Sequence, residues 1–150
     1  MPLDRRTFML ATGAATAFAV AGLPTLATAS TPEVDEAIKA FTGGAEVKEG
    51  RVDLGTPEIA ENGNTVPVEV SVESPMTEAD YVQEVMILAD GNPRPGVATF
   101  KFTPMSGEAS AKTRIRLAKT QDIIAVAKMS DGTFHQASAT VKVTIGGCGG

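Results

Sequence analysis

The chain of 150 residues has no Trp, one Tyr, one His and one Cys, and aromatic side chains make up only 5% of it. A single cysteine, Cys148, excludes an intramolecular disulfide. Its thiol must pair with another molecule, carry a modification or remain reactive. A single histidine, His135, excludes the His-rich ligand sets of metal centres, and no four-ligand cluster is predicted around it. His135 therefore reads as a strand-face or surface residue. Positive charge is also scarce. Lys and Arg number 13 against 18 Asp and Glu, giving a net charge of −5 and a pI near 4.9. With no basic stripe, such a chain repels the phosphate backbone, which argues against nucleic-acid binding.

One apolar run stands out. Thr7 to Leu26 is rich in Ala, Leu, Val and Phe but is interrupted by Gly13 and Gly22. A short charged start carrying Arg5 and Arg6 precedes it, and Ala27-Thr28-Ala29 follows as a small-x-small site before Ser30. This is the layout of an export signal rather than of a membrane anchor. Asp4-Arg5-Arg6-Thr7-Phe8-Met9-Leu10 resembles the twin-arginine type, with Asp4 in place of the usual Ser or Thr and Leu10 in place of the frequent Lys. Residues 1–29 are thus expected to be a cleaved twin-arginine signal, and the mature product is expected in the periplasm. That compartment is oxidising.

The sequence from residue 30 to residue 145 predicts one domain, all-β in the main. Thr31-Pro32-Glu33 opens a short helix, with Thr31 as cap and Pro32 at the first helical position. Val34, Ile38 and Phe41 share one face, and Gly43-Gly44 ends the helix. It is expected to lie across an end of the domain. Strands follow. Val47 to Leu54 is weak. Thr65 to Glu73 alternates Val66, Val68, Val70 and Val72 with polar or small residues, and Pro67 marks an edge or a strand beginning. Tyr81 to Leu88, Val97 to Phe102, Ala109 to Ala118, Gln121 to Lys128 and Phe134 to Ile145 complete the set. The continuously apolar 121–128 segment is expected to be central. Asp90-Gly91-Asn92-Pro93 and Asp131-Gly132 are turns. Strands every ten to fourteen residues with no intervening helix predict an antiparallel, immunoglobulin-like β-sandwich. Arg114 and Arg116 fall on one strand face and read as solvated charges. Met76, Met86, Met105 and Met129 are far apart and read as packing residues rather than a copper site.

The chain ends Gly146-Gly147-Cys148-Gly149-Gly150. Side chains are absent on both sides of the thiol, so residues 146–150 are expected to form a flexible arm that enters narrow spaces. At full extension the five residues after Ile145 span roughly 17 Å, with Cys148 standing ~10 Å from the domain. That is cleft depth. An unperturbed thiol has a pKa of about 8.5. The tail itself holds no cation to lower it, so activation is expected from a partner's site. Three readings are open on these residues: a covalent carrier, a binding module whose tail cysteine forms an intermolecular disulfide, and a carrier using Gly150 as a thiocarboxylate.

The tail Gly146-Gly147-Cys148-Gly149-Gly150 resembles the carrier motif of the SoxY family without departure. Asn64-Thr65-Val66-Pro67-Val68, Glu73-Ser74-Pro75-Met76, Asn92-Pro93 and Thr113-Arg114-Ile115-Arg116-Leu117-Ala118 are also similar to it. The resemblance implies a non-enzymatic carrier of thiosulfate-oxidation intermediates, with substrate attached at Cys148 and Gly146, Gly147, Gly149 and Gly150 as the arm. It implies no catalytic residue, no metal, and no cofactor beyond the covalently bound sulfur. The partners it implies are a SoxZ-like β-sandwich subunit in a heterodimer, a haem-containing cytochrome that couples thiosulfate, a sulfate-releasing hydrolase and a sulfane dehydrogenase.

Overall fold

A computed structural model describes residues 31–147. The expected export signal at 1–29, together with Ser30, and the residues Cys148, Gly149 and Gly150 lie outside the described residues. The helix α1 spans Pro32–Thr42, and nine strands follow: β1 Val47–Glu49, β2 Val52–Gly55, β3 Ile59–Asn62, β4 Val66–Val72, β5 Val82–Ala89, β6 Gly96–Lys101, β7 Ala109–Ile115, β8 Gln121–Met129 and β9 Phe134–Ile145. A short 3-10 helix at Pro104–Ser106 separates β6 from β7.

The strands form two packed sheets. The larger has the order β1-β9-β8-β5-β6 with β3 also pairing β9, and the smaller has the order β2-β4-β7. The alternation in β4 turns Val66, Val68, Val70 and Val72 inward, all buried, against Ile87, Ala89, Ile123 and Ala125 of the larger sheet. Alternate residues of the same strands, Leu88, Ile124 and Val126, face the other way and pack with Val34 and Phe134 beneath α1. Strands β5 and β8 are therefore covered on both faces, which is why they read as nearly continuous apolar runs. Strand β8 is central, as its sequence predicts.

Several expectations change on folding. The helix lies on the outer face of the larger sheet rather than across an end of the domain, with Phe41 meeting Phe134 edge-on at 5.9 Å. Thr31 makes no side-chain capping bond; its carbonyl accepts the Val34 and Asp35 amides instead. The segment Val47 to Leu54 divides into two strands of different sheets. Gly50 and Arg51, at φ 99° and 62°, turn the chain between them. Pro67 sits near the beginning of β4, beyond the last β2 partner pair at Gly55 and Glu69, so its missing N–H breaks no β2–β4 bond.

Most pairings are antiparallel. Two short ones are parallel, β1 and β3 on β9, and both join strands distant in sequence. Parallel neighbours need a long crossover, which the intervening strands supply. Strand β3 carries no strong alternation and was not expected from sequence; it exists because β9 offers it an edge. No helix among the described residues is long and apolar enough to cross a membrane.

Candidate functional site: the root of the C-terminal tail

Strand β9 delivers the chain to the tail, and three segments converge there. The Gly63 amide donates to the Ile145 carbonyl at 2.7 Å, the Leu117 amide donates to the Gly63 carbonyl at 2.8 Å, and the Gly147 amide donates to the Leu117 carbonyl at 2.8 Å. The end of β3, the segment after β7 and the end of β9 are thus tied by backbone bonds, and the Thr120 hydroxyl adds a side-chain bond by accepting the Val143 amide at 2.9 Å. Leu117 is fully buried, so this knot is fastened to the core.

The contacts leave no room for side chains. A Cβ on Gly63 would stand 2.3 Å from the Leu117 carbonyl oxygen and 2.7 Å from the Gly147 nitrogen. One on Gly146 would meet the Ala118 oxygen at 2.2 Å, and one on Gly147 the Gly63 oxygen at 2.7 Å. None of the three glycines has positive φ. Glycine is needed here for close approach, not for an unusual backbone conformation.

Sequence reasoning assigned Gly146 and Gly147 to the flexible arm. In the fold Gly147 is buried and hydrogen-bonded, so the part of the arm that is described is docked. Backbone hydrogen bonding continues past Ile145 as far as Gly147. The physical reason lies outside the tail: Gly63 and Leu117 present a backbone amide and two carbonyls that a glycine backbone can approach closely.

A polar brace shapes the segment that holds the tail. Asn92 Nδ2 donates to the Arg116 carbonyl at 2.8 Å, and Asn92 Oδ1 accepts the Ala118 amide at 2.9 Å, so one side chain clasps the backbone on both sides of Leu117. The buried Gln121 side chain donates to Asn92 Oδ1 and to the Lys119 carbonyl, each at 2.9 Å, and accepts the Gly91 amide at 2.8 Å. The strand expected to run to Ala118 ends at Ile115, where its last β4 partner is Val66. Beyond it the backbone bonds to Asn92, Gly63 and Gly147 instead. The sequence assigns none of these residues a role at the tail: Asn92-Pro93 reads as turn chemistry and, like Thr113 to Ala118, as part of the family resemblance.

Arg114 and Arg116 are both exposed, and Arg114 donates to the Thr65 hydroxyl at 3.5 Å. Arg114 also lines an open groove of about 620 Å³ with Gly55, Pro57, Pro67 and Lys112, a groove that Gly63, Leu117 and Gly147 do not line. Among the described residues, no group of three or more His, Cys, Asp or Glu side chains is placed to hold a metal ion. His135 lies on β9 opposite Lys48, and its Nδ1 is buried without a hydrogen-bond partner. Desolvation first, and then Arg51 and Lys48, hold its pKa below the ordinary value. Of the methionines, Met76 and Met129 are buried, whereas Met105 in the 3-10 turn is 96% exposed.

The family model described as "Sulfur oxidation protein SoxY" matches residues 38–148, a span that includes Gly63, Leu117 and Gly147 and ends on Cys148. The chain belongs to the SoxY family. Among solved structures it is similar to the sulfur carrier protein SoxY from Chlorobium limicola f thiosulfatophilum, at 32% identity and a TM-score of 0.64, over 74% of this chain and 91% of that one. It also shares its fold with the superoxide reductase (neelaredoxin) of Ignicoccus hospitalis, at 19% identity and a TM-score of 0.57, over 63% of this chain and 80% of that one. A putative superoxide reductase from Thermotoga maritima aligns at 20% identity and a TM-score of 0.54, over 69% and 89% of the two chains. No curated protein sequence matches the chain. The SoxY fold is thus the predicted sandwich, and at these identities the superoxide reductases show the architecture alone.

Proposed function

We propose that the chain is a non-enzymatic carrier that holds inorganic sulfur covalently on Cys148 during thiosulfate oxidation. The observation that carries this reading is the lone thiol in Gly-Gly-Cys-Gly-Gly, placed one residue beyond a rigid root in a chain of the SoxY family. Membership of a sulfur-oxidation family and likeness to a sulfur carrier support the cargo. The single cysteine supports the attachment point.

The chemistry follows from the thiolate, the nucleophilic form of the side chain. The Cys148 sulfur and the terminal sulfur of thiosulfate join in a new S–S bond, and two electrons leave to a haem-containing cytochrome. Water then cleaves the bond between sulfane sulfur and the sulfonate group. Sulfate and two protons depart, and a persulfide remains on Cys148. A sulfane dehydrogenase takes six electrons from the outer sulfur while three waters supply its oxygens and six protons leave. A final hydrolysis releases sulfate and two protons and restores the thiolate. In each step the chain supplies the attachment atom and the tether, and the partner supplies the redox or hydrolytic machinery. A tether also raises the cargo's effective concentration at each partner. A SoxZ-like sandwich subunit is the proposed companion in a heterodimer, and the periplasm the proposed compartment, reached through the signal at 1–29.

Intact-mass spectrometry of protein purified from its own cells without reductant, with the adduct mapped by peptide fragmentation, tests this. Sulfane or thiosulfonate increments on Cys148 are expected, and Cys148→Ala should abolish thiosulfate oxidation in the assembled system. A disulfide dimer as the sole modified form, or an increment on the Gly150 carboxyl, would replace this reading with one of its rivals.

A further inference from the structure

The geometry points to Gly63 and Leu117 as positioning residues for the carrier thiol: they pin the tail at Gly147 and so set how far Cys148 reaches. Its importance for catalysis by partners rests on the carrier reading above, whereas the pin itself does not.

Three observations support it. The pin is a relay of backbone bonds, from Gly147 to Leu117, from Leu117 to Gly63 and from Gly63 to Ile145. Each of the three glycines at the contact would clash with another segment's backbone if it bore a Cβ, so the fit depends on residues in two separate parts of the sequence. The last bond falls on Gly147, one peptide unit before the cysteine. Consecutive Cα atoms are about 3.8 Å apart. With Gly147 held, the Cys148 Cα can swing only about one such step, roughly 3.8 Å, around a fixed point. With the pin open, three residue steps from Ile145 allow roughly 10 Å.

The closure is weak enough to be used. A single net hydrogen bond of the size that holds Gly147 favours the closed form by about 2–10-fold. Gly146 is exposed and Ile145 is 66% exposed, so peeling the tail back uncovers little core. A partner that binds the extended tail can draw on that minor population, and the shift it must produce is correspondingly small. Gly63 and Leu117 thereby separate a resting position near the domain from a delivery position.

The test uses the full mature chain, reduced, with no sulfur substrate. In the parent protein the ¹⁵N relaxation of Gly147 is expected to match that of β9. Gly63→Ala should give Gly147 the relaxation of a free chain end and speed Cys148 alkylation by a bulky maleimide about 2–10-fold, with an unchanged rate for a small reagent acting on the unfolded protein. Gly147→Pro removes the donor only three residues before the end of the chain and serves if Gly63→Ala does not fold. It should speed alkylation by a similar factor while lowering the melting temperature by no more than a few degrees. Free-end relaxation of Gly147 in the parent protein would overturn the pin, as would an unchanged alkylation rate in whichever variants fold. A confirmed pin in a protein that acquires no sulfur adduct in its own cells would overturn the carrier reading alone.

Discussion

Gln121 Nε2 donates to Asn92 Oδ1 at 2.9 Å, and through this contact the turn after β5 is tied to the segment that grips the tail. Asn92 in turn clasps the Arg116 carbonyl and the Ala118 amide. One partly buried amide thus organises the backbone on both sides of Leu117, whose own amide and carbonyl are then aimed at Gly63 and Gly147. Asn92→Ala leaves these groups without their partner. A loss of about 1–2 kcal/mol is expected in urea unfolding, since each bond contributes modestly and a bereft buried group costs more. Asn92→Asp keeps the acceptor and should recover part of the loss. An Asn92→Ala protein as stable as its parent would show that the brace is incidental.

Gly50 turns the chain from β1 into β2 at φ 99°, and a Cβ there would meet nothing within 4 Å. Its cost on substitution is therefore purely conformational. Gly50→Ala should destabilise by about 1–2 kcal/mol, the ordinary penalty for an L-residue on the left-handed side. The companion change Gly96→Ala, in open space with no positive φ, should be nearly silent. Equal effects in thermal melts would contradict this division.

The helix is held by a small separate cluster, with Phe41 edge-on to Phe134 and Val34 fully buried. Phe41→Ala should cost about 2–3 kcal/mol, with lost area and the ring pair both contributing. Hydrogen exchange of α1 amides should accelerate more than that of β8. Uniform acceleration across α1 and β8 would mean that the helix and the sandwich open as one unit.

His135 and Asp131 both have lowered pKa values, with different consequences. Burial, Arg51 and Lys48 favour neutral His135, while Asp131 opposes that shift. The unfolded chain then binds the proton more readily than the folded one below pH about 6.5. Stability should fall as pH drops from that value through the lower folded pKa, and His135→Gln should remove this slope. Asp131 is held low by hydrogen bonds from the Thr133 hydroxyl and amide, so its contribution is lost only at more acidic pH, as pH falls through its folded pKa. Denaturation midpoints between pH 5 and 8 that are identical for His135→Gln and its parent would exclude the histidine effect.

How much was legible varies with the range of the interaction involved. Val66 to Val72 announces a half-buried strand because pleating alone puts alternate side chains on one face. The apolar run of β8 marks a central strand because both its faces are covered. The pattern of Val34, Ile38 and Phe41 shows that a helix buries one stripe but not which surface receives it. Likewise, nothing in Ile59-Ala60-Glu61-Asn62 names β9 as a partner, and the division of Val47 to Leu54 depends on which sheet each half joins.

The sequence by itself determined the alternating strands, the amphipathic helix and a terminal thiol flanked by side-chain-free residues, since each is a property of neighbouring residues. Only the tertiary structure decided that Gly146 and Gly147 lie against Ala118 and Gly63, that Leu117 receives the Gly147 amide, and that Asn92 holds that acceptor in place. Residues more than eighty positions apart meet in that knot through backbone atoms, which every residue carries, so side-chain identity leaves little trace of the meeting beyond the glycines that make room for it.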